Sequence, residues 1–578
     1  MARLSRLARL ANERGGVIGL VVLVAYVALA PVHVVSGDSA ELTTLGTIGG
    51  VAHPTGYPLY LLFLRATAWL PAATPAHATA IATGVLGAAQ VVVLHAACRA
   101  WGARPLAATL AVAIYAAAPP VVRANTAAEV FALNGLAAAC VLWLAATAGP
   151  VRGRARVLVL ALVAGLALTD HATAVLVAPV GLLGVARGLR ELPRGRLGVA
   201  ALALAAFALG LSPYLYLLVT RETPTAWTHL DGLGDLVHHA LRLDYGGPGT
   251  FTSDGAQVAI VDRLAGCLRA IGAAWLWLPA LAGIAALGER IARGPRWDFA
   301  MLALALLLAG PVLAARMNLA PVGYGAYVCE RFYMLPILLL AIPVARALDR
   351  LPLVRVGRLE PALAIAVFGG VLALDLPRLA RVHSAAVQNL VENTLRGLPP
   401  RAIAIVATDS FHYVAGYLQA VLHERPDVDV ITWPLVRSAE YRERIAHRTG
   451  LAMTAPRGEL LGPALVGQAL AQGRPVFIDG YQASIAAAFP ADPYGVLFHV
   501  LPRTATRTPI GEVVETNRAL FATYALDYPA PRVDDEPAAS VHADYARTWR
   551  ILADGLAAVG RTDDARAAAA LATELAPR

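Results

Sequence analysis

The sequence contains no lysine: all 48 of its basic residues are arginine. That excludes Schiff-base chemistry on a lysine amine and any phosphate loop of the Gly-Lys-Ser/Thr kind. Cysteine is almost as scarce. Cys98, Cys140, Cys267 and Cys329 are far apart in the chain, with neither a disulfide framework nor a Cys-x-x-Cys metal site among them. Charge is the third shortage, at 15% of the 578 residues against 58% hydrophobic, with a mean hydropathy of +0.59. Soluble domains carry about 25% charge and about 45–50% apolar residues, so there is more apolar surface here than one water-facing core can hide. The apolar residues come in long blocks, and the expected fold is a mainly α, polytopic transmembrane bundle.

Stretches of about 20 apolar residues can cross the hydrocarbon. Candidates run near 17–35, 77–97, 105–119, 127–147, 157–169, 172–186, 197–219, 270–288, 299–315, 331–346 and 360–375, about eleven crossings. The net charge of +9 comes from short arginine clusters between these blocks, which reads as membrane topology and not as a nucleic-acid patch. Arg3, Arg6, Arg9 and Arg14 precede the first crossing, and Arg99 and Arg104 follow the second. Later clusters are Arg152/154/156, Arg187/190/194/196, Arg290/293/296 and Arg346/350/355/358, so every second connection is basic. Since arginine in short loops stays cytoplasmic, the N-terminus is expected inside, with an uncleaved first crossing. Residues 36–76, 220–268, 316–330 and everything after about 376 are then expected outside, in the periplasm of a bacterium.

The first outer loop concentrates chemistry. Asp38 and Glu41 are three apart, so one helical turn places both carboxylates on one face, where mutual repulsion suits general-base work. The same spacing also suits a helix start, with Asp38 or Ser39 as cap and Glu41 in the first turn. His53 follows on a rigid segment with Pro54, Gly56 and Pro58, and residues 57–70 read as an interfacial stretch.

The string Gly37-Asp38-Ser39-Ala40-Glu41, followed by Gly50-Val51-Ala52-His53-Pro54-Thr55-Gly56-Tyr57-Pro58-Leu59-Tyr60, closely resembles the signature of a family of polytopic proteins related to protein O-mannosyltransferases. Ala128-Glu129-Val130-Phe131-Ala132-Leu133-Asn134 and Gly165-Leu-Ala-Leu-Thr-Asp-His171 resemble later motifs of that family, as do Pro213-Tyr214, Trp227, Tyr245-Gly246 and Glu330-Arg331-Phe332-Tyr333. Ala40 stands where the family has glycine, Thr55 where it has proline and Asp170 where it has asparagine. The resemblance implies a GT-C type glycosyltransferase that uses a polyprenyl-phosphate-linked sugar, with mannose the sugar it suggests, and places an acid in its first outer loop. It further implies a protein or glycan acceptor outside the cytoplasm.

Such a transfer needs a base for the acceptor hydroxyl, cations or donors for the leaving phosphate and an apolar groove for the lipid. Asp38 is the expected base, with Glu41 its partner or a ligand of a sugar hydroxyl. Arg331 at the outer end of a crossing is the best-placed phosphate fork and Arg123 the second, the alternative for Arg331 being an interfacial anchor paired with its neighbour Glu330. His53 and His171 add phosphate donors. Tyr57, Tyr60, Glu129, Asn134 and Glu330 complete the substrate-binding set, and Trp227 can stack on a sugar face or sit in the aromatic belt. His238 and His239 are adjacent and point about 100° apart on a helix, so no metal is expected there.

Three domains are expected: 1–380 as the transmembrane glycosyltransferase, 385–535 as an extracytoplasmic α/β domain and 536–578 as a helical tail. Strands are expected at 402–407, 428–432 and 475–478, with a helix at 412–423. The tail resembles one tetratricopeptide unit, with Ala565 and Pro577 at fitting places, and must pack on the α/β domain or on a protein partner. Two other functional classes remain: a flippase or transporter for lipid-linked sugars, and a non-catalytic envelope scaffold. Acids grouped at one membrane face disfavour the transporter.

Overall fold

The computed structural model describes residues 13–220, 223–247, 257–293, 297–351, 360–454, 461–480 and 482–578. Arg3, Arg6, Arg9, Arg296, Arg355 and Arg358, which served as topology markers, lie outside the described residues. By packing the chain divides into two compact units: Met1–Val32, Leu45–Glu222 and His229–Leu379 form the first, and His33–Thr44, Thr223–Thr228 and Ala380–Arg578 the second.

The first unit is helical. Five helices are long and apolar enough to cross a membrane: Pro75–Ala100, Ala172–Arg190, Arg196–Val219, Trp297–Arg316 and the run Glu360–Gly397, whose last turns belong to the second unit. Three bent pairs raise the number to eight if each is one span, and Gly15–Leu29 and Phe131–Ala145 are shorter apolar helices. Helix length and composition thus give five to eight spans among the described residues, against about eleven crossings expected from hydropathy. The stretch at 270–288 is broken into Ile260–Ala274 and Leu278–Ala292, bent by 105°. The cause is local: Leu276 and Trp277 take φ of 55° and 61°, outside the helical region, and Pro279 restarts the next helix. The stretch at 331–346 is likewise a bent pair, Gly323–Phe332 and Met334–Leu348, at 54°, and Pro119 bends Pro105–Ala117 from Pro119–Asn125 by 69°. Within 157–186 one helix ends at Asp170 and another helical segment begins at Ala172, with His171 extended between them.

Helix contacts in this unit rest on small residues, which let backbones approach where lipid supplies no hydrophobic drive. The helices Gly153–Asp170 and Arg196–Gly210 touch through Gly165 and Gly210. A methyl group at Gly165 would lie 2.3 Å from the Phe207 carbonyl oxygen and 2.8 Å from the Gly210 Cα, and one at Gly210 would lie 2.5 Å from the Leu162 carbonyl oxygen.

The second unit is built on a five-stranded sheet: β1 (Ile403–Val406), β2 (Asp429–Thr432), β3 (Val476–Ile478), β4 (Ala491–Tyr494) and β5 (Leu497–Val500), in the order β2-β1-β3-β5-β4. β1 runs parallel to β2 and β3, whereas β5 pairs antiparallel with β3 and β4. Ile403, Ile405, Ile431, Val476, Ile478 and Leu465 build the core. Pro493 is tolerated because β4 is an edge strand. The helix after β1 runs Asp409–Ala420, starting earlier than its apolar residues indicate because the Thr408 side chain caps it by accepting from the Phe411 N–H. The last two helices, Ala538–Ala558 and Thr562–Leu575, pack through Leu552, Leu556, Ala565, Ala568 and Ala572.

Two early segments belong to this unit. The Nε2–H of His33 donates to the His383 carbonyl at 2.8 Å, and the Val34 N–H donates to Gln388 at 3.0 Å. Arg444 holds the Ala226 carbonyl at 2.6 Å, and Thr228 hydrogen-bonds Glu440.

Gly210→Val is expected to destabilise the protein by about 1–3 kcal/mol through overpacking, read as a lowered thermal-denaturation midpoint in detergent; an unchanged midpoint would refute the close helix crossing. A second test concerns His412, on the Asp409–Ala420 helix, whose imidazole is pulled from 6.5 down to about 4 by burial and by Arg444 and Arg448. The unfolded chain therefore binds one more proton between pH 4 and 6.5, and stability falls as pH drops through that window. His412→Gln should flatten this acid dependence in fluorescence-monitored unfolding.

Candidate functional site

In the first unit the residues singled out by motif converge. Tyr57 opens the Pro58–Ala66 helix in a left-handed conformation, φ 46°, and its hydroxyl lies 2.8 Å from the His53 Nε2. Its ring stacks on His171 at 6.0 Å with 8° between planes. His171 is the extended residue between two helical segments. Its Nδ1 accepts from the Thr173 N–H at 3.2 Å and lies 2.7 Å from the Thr173 hydroxyl, which also receives the Asn134 Nδ2–H at 2.9 Å. An accepting Nδ1 puts the ring proton of the neutral imidazole on Nε2, a donor of the kind phosphate oxygens need. Phe131 and Phe332 close on the same imidazole at 4.9 and 6.1 Å.

Beside this aromatic group stand two ion pairs. Arg331 Nη1 meets Glu129 Oε1 at 2.9 Å, and Arg123 pairs with Glu330 and lies 3.6 Å from Asp375. Arg331 thus reaches Glu129, and its neighbour Glu330 reaches Arg123. Adjacent helical residues point about 100° apart, so Glu330 and Arg331 reach different partners. Glu129 and Arg123 are buried. Tyr60 is fully buried, its hydroxyl 2.6 Å from the Thr83 hydroxyl.

His239 lies outside that cluster's rings but touches its loop. Its Nε2–H donates to the Ala52 carbonyl at 2.9 Å, and burial, with a smaller push from His53, draws the imidazole down to about 4, so it stays neutral. Its neighbour His238 bonds Asp244 at 2.8 Å instead. Among the described residues no group of three or more His, Cys, Asp or Glu could hold a metal ion.

Asp38, Glu41 and Trp227 belong to the second unit. The Asp38 carbonyl accepts the Leu42 N–H at 2.8 Å, which makes Asp38 the residue that opens the Ser39–Ile48 helix, with Glu41 in its first turn and buried. Two residues earlier, the Ser36 hydroxyl lies 3.5 Å from that of Ser410, just past β1. Trp227 offers its carbonyl to Arg444.

Thr173, Phe131, Phe332 and Asp375 were not read as site residues from the sequence. Phe131 and Phe332 stand inside the quoted motifs, and Asp375 is an isolated acid in an apolar run, a signal that by itself marks a functional candidate. Thr173 carries no such signal.

The two ion pairs supply a test. Arg331→Met removes the arginine partner of the buried Glu129 and is expected to cost about 3 kcal/mol of stability, part of which returns in the double variant Arg331→Met/Glu129→Gln. Additive losses in thermal denaturation would show that the pair is not energetically coupled.

The resemblance read from the first loop is borne out by comparison with known proteins. Residues 38–188 match the family model of the protein O-mannosyl-transferase TMEM260 N-terminal domain. No curated protein sequence matches the chain. Two crystal structures of ArnT from Cupriavidus metallidurans share its fold at a TM-score of 0.52, one bound to undecaprenyl phosphate at 13% identity and one in the apo state at 15%. Each alignment covers 86% of this chain and 98% of ArnT. The chain thus shares the ArnT fold, carries several helices long and apolar enough to cross a membrane, and over residues 38–188 matches the protein O-mannosyl-transferase TMEM260 N-terminal domain.

Proposed function

We propose that this protein transfers a sugar, mannose, from a polyprenyl-phosphate-linked donor to a hydroxyl of a protein or glycan outside the cytoplasm. The observation that carries the reading is the convergence of His53, Tyr57, Asn134, His171 and the pairs Glu129–Arg331 and Glu330–Arg123 within one helical unit. The solved relative holding undecaprenyl phosphate supports a lipid-phosphate donor.

Roles follow from the chemistry of each group. The first unit takes the donor: the His171 Nε2–H and His53 donate to phosphate oxygens, and Arg331 and Arg123 exchange a carboxylate partner for the phosphate, a bidentate fork suiting either anion. Tyr57, Tyr60 and Trp227 offer ring faces or hydroxyls to sugar. Asp38 takes the proton of the acceptor hydroxyl as its oxygen attacks the anomeric carbon; the carbon–oxygen bond to phosphate breaks, and polyprenyl phosphate departs with the electron pair. Glu41 orients Asp38 or binds a sugar hydroxyl. In this reading the N-terminus is cytoplasmic, the second unit lies outside, in the periplasm of a bacterium, no metal takes part, and the helical tail offers a face to a protein partner.

Purified Asp38→Asn, given synthetic polyprenyl-phosphate mannose and a serine- and threonine-bearing peptide, should lose about 10²–10⁴-fold in transfer rate, the usual worth of a general base, while its thermal stability holds. Turnover like that of the unsubstituted enzyme would remove Asp38 from the role.

A further inference from the structure

Asp170 is a fully buried ionisable group of the first unit. It ends the Gly153–Asp170 helix, its accessible surface is 0%, and neither carboxyl oxygen has a hydrogen-bond partner among the described residues. It directly precedes His171, and it stands where the resemblance described above has an asparagine.

The groups around it offer no compensating charge. The Pro58–Ala66 helix brings Tyr60, and the Ser212–Leu215 turn brings Tyr214, both within its electrostatic reach. The Phe131–Ala145 helix brings Asn134, and the Ala172–Val177 turn contributes Thr173 after His171. The arginines on these and adjoining helices are Arg65, which is exposed, Arg154 and Arg156 at the far end of its own helix, Arg187 and Arg190 at the far end of Ala178–Arg190, and Arg196 at the far end of Arg196–Gly210. Arg156 is matched to Glu191 and Arg187 to Asp298. Glu129, within reach of Tyr60 as well, is matched to Arg331.

An ionised carboxylate taken out of water without a partner costs far more than its neutral acid, and such groups neutralise. We infer that Asp170 works as the uncharged acid, a positioning residue that acts through the adjacent His171 by keeping negative charge away from its phosphate-binding face. Ionisation of Asp170 at alkaline pH would set a negative charge beside the imidazole and weaken donor binding. The inference rests on the proposed role of His171, but its first readout does not.

Infrared spectroscopy of the full chain in detergent at neutral pH should show a carboxylic-acid carbonyl band that is missing from Asp170→Asn. Its absence from the unsubstituted protein would overturn the inference whether or not the protein transfers sugar. With synthetic polyprenyl-phosphate mannose, Asp170→Asn should keep transfer at neutral pH and lose the alkaline rise in donor KM. A rise unchanged in the variant, or a loss of more than about tenfold at neutral pH (the effect of one unit of pKa on a binding step), would overturn the positioning role. Asp170→Leu, equally neutral, should show the same flat alkaline profile, and a profile that still rises would overturn the charge argument.

Discussion

Charge removed from water has to be matched, and the first unit is organised around that constraint. Glu129, Arg123, Glu330 and Arg331 come from three separate stretches of sequence, and each is held by one of the others. The Coulomb energy of such a pair offsets a desolvation cost of several kcal/mol per ion only when the geometry is good. The pairs therefore constrain the placement of the helices that carry them, and they also hold arginine forks ready for another anion. A phosphate entering such a site trades one carboxylate for another oxyanion and needs no new cation.

The imidazole of His171 shows how a break in helical structure becomes useful. Its backbone is extended, so it caps the following turn through Nδ1, and capping fixes the tautomer. The rings of Tyr57, Phe131 and Phe332 then fix its plane. Neither effect is a property of histidine alone. A group that would be an ordinary loop residue becomes a single directed donor because backbone, hydroxyl and ring contacts act on it together.

Much of this was legible in the sequence, for physical reasons that differ from element to element. Apolar length marks helices able to cross a bilayer, and short β-branched runs mark β1, β2 and β3, because both signals are set by burial. The break at Leu276 and Trp277 left no such mark, since hydropathy is blind to φ and the run stays apolar through the bend. β4 and β5 are four residues each and half buried, too short for alternation to show. In the site, the motifs indicated His53, Tyr57, Asn134, His171, Glu129, Glu330 and Arg331, and Arg123 stood out as a second phosphate fork, but who pairs with whom did not show: Glu330 and Arg331 are neighbours in sequence and partners of other residues in space. Asp375 was visible as an intramembrane acid, whereas Thr173 acts only through the geometry of its neighbours.

The hydrogen bond between His33 and His383 joins residues 350 positions apart, and the one from Val34 spans 354. A ribosome adding about 5–20 residues per second needs on the order of tens of seconds to cover that distance. During that interval the segment that carries Asp38 has emerged while the surface it packs against does not yet exist. The segment that carries Asp38 therefore reaches its final packing only after synthesis has passed His383 and Gln388, so its first contacts are set by chain that emerges hundreds of residues later.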